Sequence, residues 1–156
     1  MAVGPFLDTS VLLAGLVDFG PQSAPAQELL HAVAEGRTGR ASTAWHCCLE
    51  VYSVATRLPP EFRLAPADAG SLIQEEIFGR MAVHDLPDAA QRSFLQALAQ
   101  QSITGGRVYD AHIAEIARAA GATVIVTDNR KHFLAALRHG IRVDTPSEYV
   151  AALKKV

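Results

Sequence analysis

Four acidic side chains stand singly in apolar surroundings: Asp8 in FLDTSVLL, Glu50 in CCLEVYSV, Asp110 in RVYDAHIA and Asp128 in VIVTDN. Unpaired carboxylates rarely enter a core, because stripping the water from a charged group is costly unless something replaces it. The nearest basic residues in sequence, Arg57, Arg107 and Arg130, are too few to make four local ion pairs. A hard divalent cation such as Mg2+ or Mn2+ answers the same need, since it prefers oxygen ligands and completes its shell with water. Taken singly, the acids have plainer uses. Asp8 and Asp128 also suit helix caps, Glu50 a half-exposed helical position, and Asp110 the favourable first turn of a helix. Their joint occurrence on elements that one sheet would bring together favours a cation site.

Around these acids, Thr9 and Ser10 offer hydroxyls to orient a water or a phosphate oxygen, and Arg107 and Arg130 offer guanidinium groups to a neighbouring phosphate. Capping and surface solvation suit those four equally. His31, His46, His84, His112 and His139 show no zinc-ligand spacing, and His132 is a candidate base. The only cysteines, Cys47 and Cys48, are adjacent, which leaves neither a structural disulfide nor a metal knuckle and points to buried thiols.

The elements that must position the acids follow from hydrophobic spacing. GPFLD at 4–8 reads as a short strand ending at an acid and feeding a turn and helix. Ala26, Leu29, Leu30 and Val33 mark a helix over 24–35 that Gly36 stops, and Ser42 or Thr43 caps a helix that carries Glu50 towards Pro59-Pro60. Two further helices are expected over 66–79 and 87–101, with the short apolar MAVHDL between them. Gly105-Gly106 turns into a helix carrying Asp110, with Ile113, Ile116, Ala117 and Ala120 on one face and Gly121 at its end. ATVIVTD has the continuous β-branched character of a buried parallel strand and ends at Asp128. A helix over 131–138, a short IRVD strand and a last helix from Pro146 complete the chain. Strands alternating with helices predict an α/β domain, its parallel sheet covered on both faces, with ligands at the carboxyl ends of the strands.

The 156 residues, 49% of them apolar, fit one domain with one core. No stretch approaches the ~20 apolar residues of a membrane span, and the start lacks the basic segment of a secretory signal, so a cytoplasmic protein is expected. The formal charge is −2, which does not by itself suggest a nucleic-acid partner. Its distribution is uneven: residues 130–156 hold six Lys/Arg against two Asp/Glu, while residues 1–129 hold eight against fourteen. An acidic body with a basic tail fits carboxylates that hold a cation beside a surface that accepts phosphate. An ordinary solvated C-terminal face bearing Arg138, Lys154 and Lys155 fits the tail as well.

The ordered segments LDTSVLL, LEVYSV, GGRVYDAHIAEIA and VTDNRKHF resemble the motifs of PIN domains, and especially those of VapC-type toxins of bacterial toxin–antitoxin pairs. The resemblance spans nearly the whole chain, residues 1–156. It implies a doubly wound parallel sheet with helices on both faces and Mg2+- or Mn2+-dependent endonuclease cleavage of RNA. By the same resemblance a homodimer and a cognate antitoxin are the expected partners. Asp8, Glu50 and Asp110 fall on the family's acids. The fourth position is Asp128, with Asn129 as the alternative, a neutral ligand or a residue that positions a water. Such a site lowers the pKa of a water for in-line attack on the phosphodiester and needs no protein nucleophile. A Mg2+-dependent phosphatase is the rival enzyme, although Ser10 stands where such an enzyme usually carries a second Asp. An RNA-processing nuclease without an antitoxin would carry the same acids, as would an inactive binding module of the same fold.

Overall fold

The computed structural model describes residues 2–155, apart from the side chain of Arg138. Five short strands form one sheet: β1 (Val3–Leu7), β2 (Arg40–Ala44), β3 (Ala82–His84), β4 (Val124–Val126) and β5 (Arg142–Asp144). Their order is β3-β2-β1-β4-β5 and every pairing is parallel, the arrangement expected of a sheet buried on both faces. β1 carries a proline, which cannot donate to a ladder. The β1–β2 register slips between Val3 and Phe6, around Pro5, which accommodates it. Beside it, a Cβ on Gly4 would sit 2.7 Å from the backbone carbon of Arg40, so only glycine lets the two strands approach there.

Helices α1 (Thr9–Leu16), α2 (Ala24–Ala34), α3 (Trp45–Ala55), α4 (Pro66–Leu72), α5 (Asp88–Gln100), α6 (Arg107–Ala119) and α7 (Pro146–Leu153) connect and cover the strands. The chain leaves β1 towards β2 and β3, then returns across the sheet to β4 and β5. Right-handed crossovers therefore place the helices of the two halves on opposite faces. Contacts among the connecting segments agree: α1 packs on α2 and α3, whereas α6 packs on the segment after β4; α7, which follows the last strand, returns to pack on α2. Phe6, Leu7, Val11, Leu12, Leu29, Ile116, Ile125 and Val126 are fully buried in one continuous core. The doubly wound α/β fold is as expected.

Several local expectations are corrected. Ser42 and Thr43 do not cap α3. They lie in β2, where the Thr43 hydroxyl donates to the Leu7 carbonyl at 2.7 Å and ties β2 to β1. The helix expected over 66–79 begins as α4 but finishes in a wider π-type turn over Ile73–Phe78. The helix expected over 131–138 is a pair of 3-10 segments over Arg130–His139, broken at Phe133, whose ring is buried in the core. α7 opens on a capping box in which Thr145 and Glu148 satisfy each other's backbone N–H groups. On the basic tail, Lys154 is exposed and pairs with Glu28 of α2 at 2.9 Å, and Lys155 is exposed, while the Arg138 side chain lies outside the described residues. Among the described residues no helix is long and apolar enough to cross a membrane.

Candidate functional site

The chain reverses direction across the sheet at β1, whose neighbours β2 and β4 lie on either side. The carboxyl end of β1 beside that of β4 is therefore the topological switch point, where open α/β sheets bind ligands. Asp8 follows β1 there. Its N–H extends the ladder to the Val126 carbonyl at 3.1 Å, and its own carbonyl accepts the N–H groups of Val11 and Leu12. The backbone of Asp8 thus starts α1, but its side chain does not cap it. Oδ2 instead accepts the Thr127 hydroxyl at 2.8 Å and the Ser10 hydroxyl at 3.1 Å. The residue is 5% exposed and has no cationic partner among the described residues.

The same two hydroxyls hold the loop after β4. Ser10 Oγ accepts the Asp128 N–H at 3.1 Å, and Thr127 Oγ1 accepts the Asn129 N–H at 2.9 Å. Asp128 therefore stands two residues beyond the end of β4, and its side chain caps nothing. Burial, and then the charge of Asp8, push its carboxyl above the ordinary aspartate range.

Glu50 and Asp110 line an adjoining open cleft of about 1410 Å³ between α3, α6 and the 3-10 segment. Glu50 is half-exposed on α3, one turn after His46, whose Nε2 lies 2.5 Å from Oε1. Asp110 lies in the first turn of α6 with His132 Nδ1 at 3.4 Å. A helix N-terminus would lower its pKa, yet the carboxyl is pushed up. Burial is the largest cause and the Asp8 charge adds to it, against the opposing pull of His132 and His46. One buried aspartate thus raises two others, as crowding of like charges does.

Oxygen donors of this kind suit a hard divalent cation. Asp8 supports that fit: it is buried, and among the described residues its Oδ2 accepts two neutral hydroxyls while Oδ1 has no protein hydrogen bond. The described side chains do not form a ready-made cluster of three or more ligands, with Glu50 turned to His46 and Asp110 to His132. Those two acids would exchange an imidazole for the ion.

The other residues singled out in the sequence divide. Ser10 belongs to the Asp8 network, and Arg107 lines the cleft with Lys131. Thr9 is buried, its hydroxyl near the Cys47 thiol and not among the cleft-lining groups. Arg130 is paired with Glu148 of α7. The Asn129 backbone is held by Thr127, and its side chain makes no hydrogen bond among the described residues. Both cysteines are buried, and burial pushes each thiol up to about 11. Sequence reasoning missed Thr127, whose role depends on a contact 119 residues away. It also set aside His46, although its spacing of four from Glu50 is a helical contact that could have been read.

A family model described as PIN domain matches residues 6–131. Ribonuclease VapC40 of Mycobacterium tuberculosis is 32% identical over 127 residues, covering 79% of this chain and 85% of that protein. Ribonuclease VapC27 of the same organism is 39% identical over 90 residues, 58% of this chain and 64% of that one. The crystal structure of M. tuberculosis VapC20, described as a sarcin-ricin loop cleaving toxin, shares the fold with a TM-score of 0.58 at 15% identity, over 80% of this chain and 87% of that chain. The doubly wound sheet, the acids at its switch point and these relatives agree, and the chain belongs to the PIN domain family.

Proposed function

We propose that this protein is a divalent-metal-dependent endoribonuclease, the toxin of a toxin–antitoxin pair, working in the cytoplasm as a homodimer with Mg2+ or Mn2+. The observation that carries the reading is Asp8, a buried acid at the switch point that has no cationic partner among the described residues and is held by two hydroxyls. Asp8, Glu50, Asp110 and Asp128 would hold the cation. The relatives named as ribonucleases support RNA as substrate, and the toxin description of VapC20 supports the biological role.

A divalent ion bound there would supply acidification of a water and neutralisation of charge on the scissile phosphate. The chain's own part is positional. Thr127 and Ser10 fix the Asp8 carboxylate and, through the Asp128 and Asn129 N–H groups, the loop opposite it. Arg107 and Lys131 offer positive charge along the cleft to flanking phosphates. Cys47 and Cys48, buried and held as neutral thiols, take no part as nucleophiles.

The test is hydrolysis of single-stranded RNA and of a simple phosphate ester with Mg2+, Mn2+ or chelator. RNA cleavage that needs the metal, and that Asp110→Asn or Glu50→Gln reduces at least about 100-fold with the fold intact, is the expected outcome. The magnitude corresponds to about 2.7 kcal/mol of transition-state stabilisation. Cleavage of the ester alone would favour a phosphatase, and no hydrolysis of either a binding module.

A further inference from the structure

Tyr109 immediately precedes Asp110 on the wall of the cleft and is 58% exposed. One face of its ring lies on the His46 imidazole, with centroids 5.5 Å apart and planes 20° from parallel. His46 is fixed in turn, by Glu50 on its edge and by His112 at 5.8 Å in an edge-to-face contact that Phe94 extends at 5.6 Å. The stack is therefore braced from below, and most of the tyrosine is left open to solvent beside two of the candidate acids. On the same cleft stand Arg107 and Lys131, neither of which has a carboxylate within ion-pair distance among the described residues. An open aromatic face next to uncompensated cations is what the path of a single nucleic-acid strand requires: cations for phosphates and a flat ring for a base.

We propose that Tyr109, backed by His46, is a stacking platform for one unpaired base next to the scissile phosphate. The proposal rests on the ribonuclease reading of the site. A base inside a duplex already has partners on both faces and could not reach the ring without first unpairing. The cations argue against a protein partner as the occupant, since an apolar docking face would not need them.

The test uses the full-length protein with Mn2+, in an Asp8→Asn background to hold the RNA uncleaved, and a short single-stranded RNA carrying 2-aminopurine, whose fluorescence falls on stacking. Tyr109→Ala should weaken binding about 5- to 150-fold, the loss expected for one base–aromatic stack, and abolish the quench. Tyr109→Phe should keep both, and Tyr109→Leu, equally apolar but without a ring, should behave like alanine. The corresponding RNA duplex should bind more weakly than the single strand and show no dependence on residue 109. Unchanged affinity in Tyr109→Ala, full function in Tyr109→Leu or equal binding of duplex would overturn the platform while leaving the nuclease reading intact. So would a change of oligomeric state in Tyr109→Ala without loss of RNA binding, which would make the ring a protein contact. If the parent protein neither cleaves nor binds RNA with Mn2+, both readings fall.

Discussion

Replacing Asp8 by Asn separates a cation site from a structural aspartate. The amide keeps a carbonyl oxygen where Oδ2 accepts the Thr127 and Ser10 hydroxyls, so the geometry can survive. Each bond loses its charge assistance, about 1 kcal/mol apiece and about 2 kcal/mol together. Against this, two carboxylates roughly 7 Å apart at an effective dielectric of about 20 repel by about 2 kcal/mol, and Asp8 raises both Asp110 and Asp128. Removing its charge also removes the cost of burying it at 5% exposure. The balance favours the variant by about 1–2 kcal/mol without metal near neutral pH, a rise in Tm of roughly 2–8 °C for a chain of this size. Wild type with free Mn2+ at about 100 times its Kd should gain about 2.7 kcal/mol, and the variant less than half of that.

The pH dependence carries a sign as well. Asp110 and Asp128 are raised above 3.8 in the folded state, chiefly by burial and then, in part, by Asp8. At these two carboxyls the folded protein therefore holds more protons than the unfolded chain. The stability these groups contribute is complete below the unfolded value and is lost as pH rises through the folded one. Asp8→Asn should narrow that window without closing it, because the desolvation remains. Thermal melting of both proteins from pH 3 to 8, with chelator or Mn2+, measures all three effects. If the variant melts several degrees lower in chelator and gains as much from Mn2+ as wild type, Asp8 is a structural residue and the electrostatic reasoning is wrong.

The choice between Asp128 and Asn129 is open to direct test: Asp128→Ala should reduce RNA cleavage more than Asn129→Ala, and the reverse order in a cleavage assay would move the fourth ligand by one residue. Thr127→Val keeps the shape of a fully buried side chain but deletes the donor to Asp8. A lost bond to a charged group costs about 2 kcal/mol, so Tm should fall by roughly 4–8 °C, and an unchanged melting curve would show that the hydroxyl is not holding the carboxylate. Thr145→Ala opens the capping box of α7. It should cost about 1 kcal/mol while leaving cleavage untouched, and loss of activity in a protein that still melts cooperatively would link α7 to the site.

Much of this architecture is legible wherever one segment carries its own signal. VIVTD declares a buried strand by composition, and Ile113, Ile116 and Ala117 declare the inner face of α6. β2 and β3 declare little. RASTA has a single β-branched residue and AVH spans three positions, too short for any period to register. Both are strands because β1 provides an edge for β2 and β2 one for β3, which is tertiary context. The site divides along the same line. Asp8, Glu50, Asp110 and Asp128 stand out because each is an acid in apolar surroundings, a local property. Thr127 does not, since one more threonine in a β-branched strand looks like propensity until β4 is laid beside β1.

The pairing of β1 with β4 also explains how the Asp8 carboxyl is held in place. An aspartate buried to this extent must be compensated, and among the described residues its partners are two hydroxyls and no arginine or lysine. A cationic partner would stabilise the empty site and compete with any ion for the carboxylate. Hydroxyls orient the group without neutralising it. Because each hydroxyl also accepts an N–H from the loop after β4, the residue that holds Asp8 in place holds the opposing loop as well. Loop and carboxylate are therefore positioned together, and on the proposed reading the Oδ1 that makes no hydrogen bond among the described residues is the atom that would meet the cation.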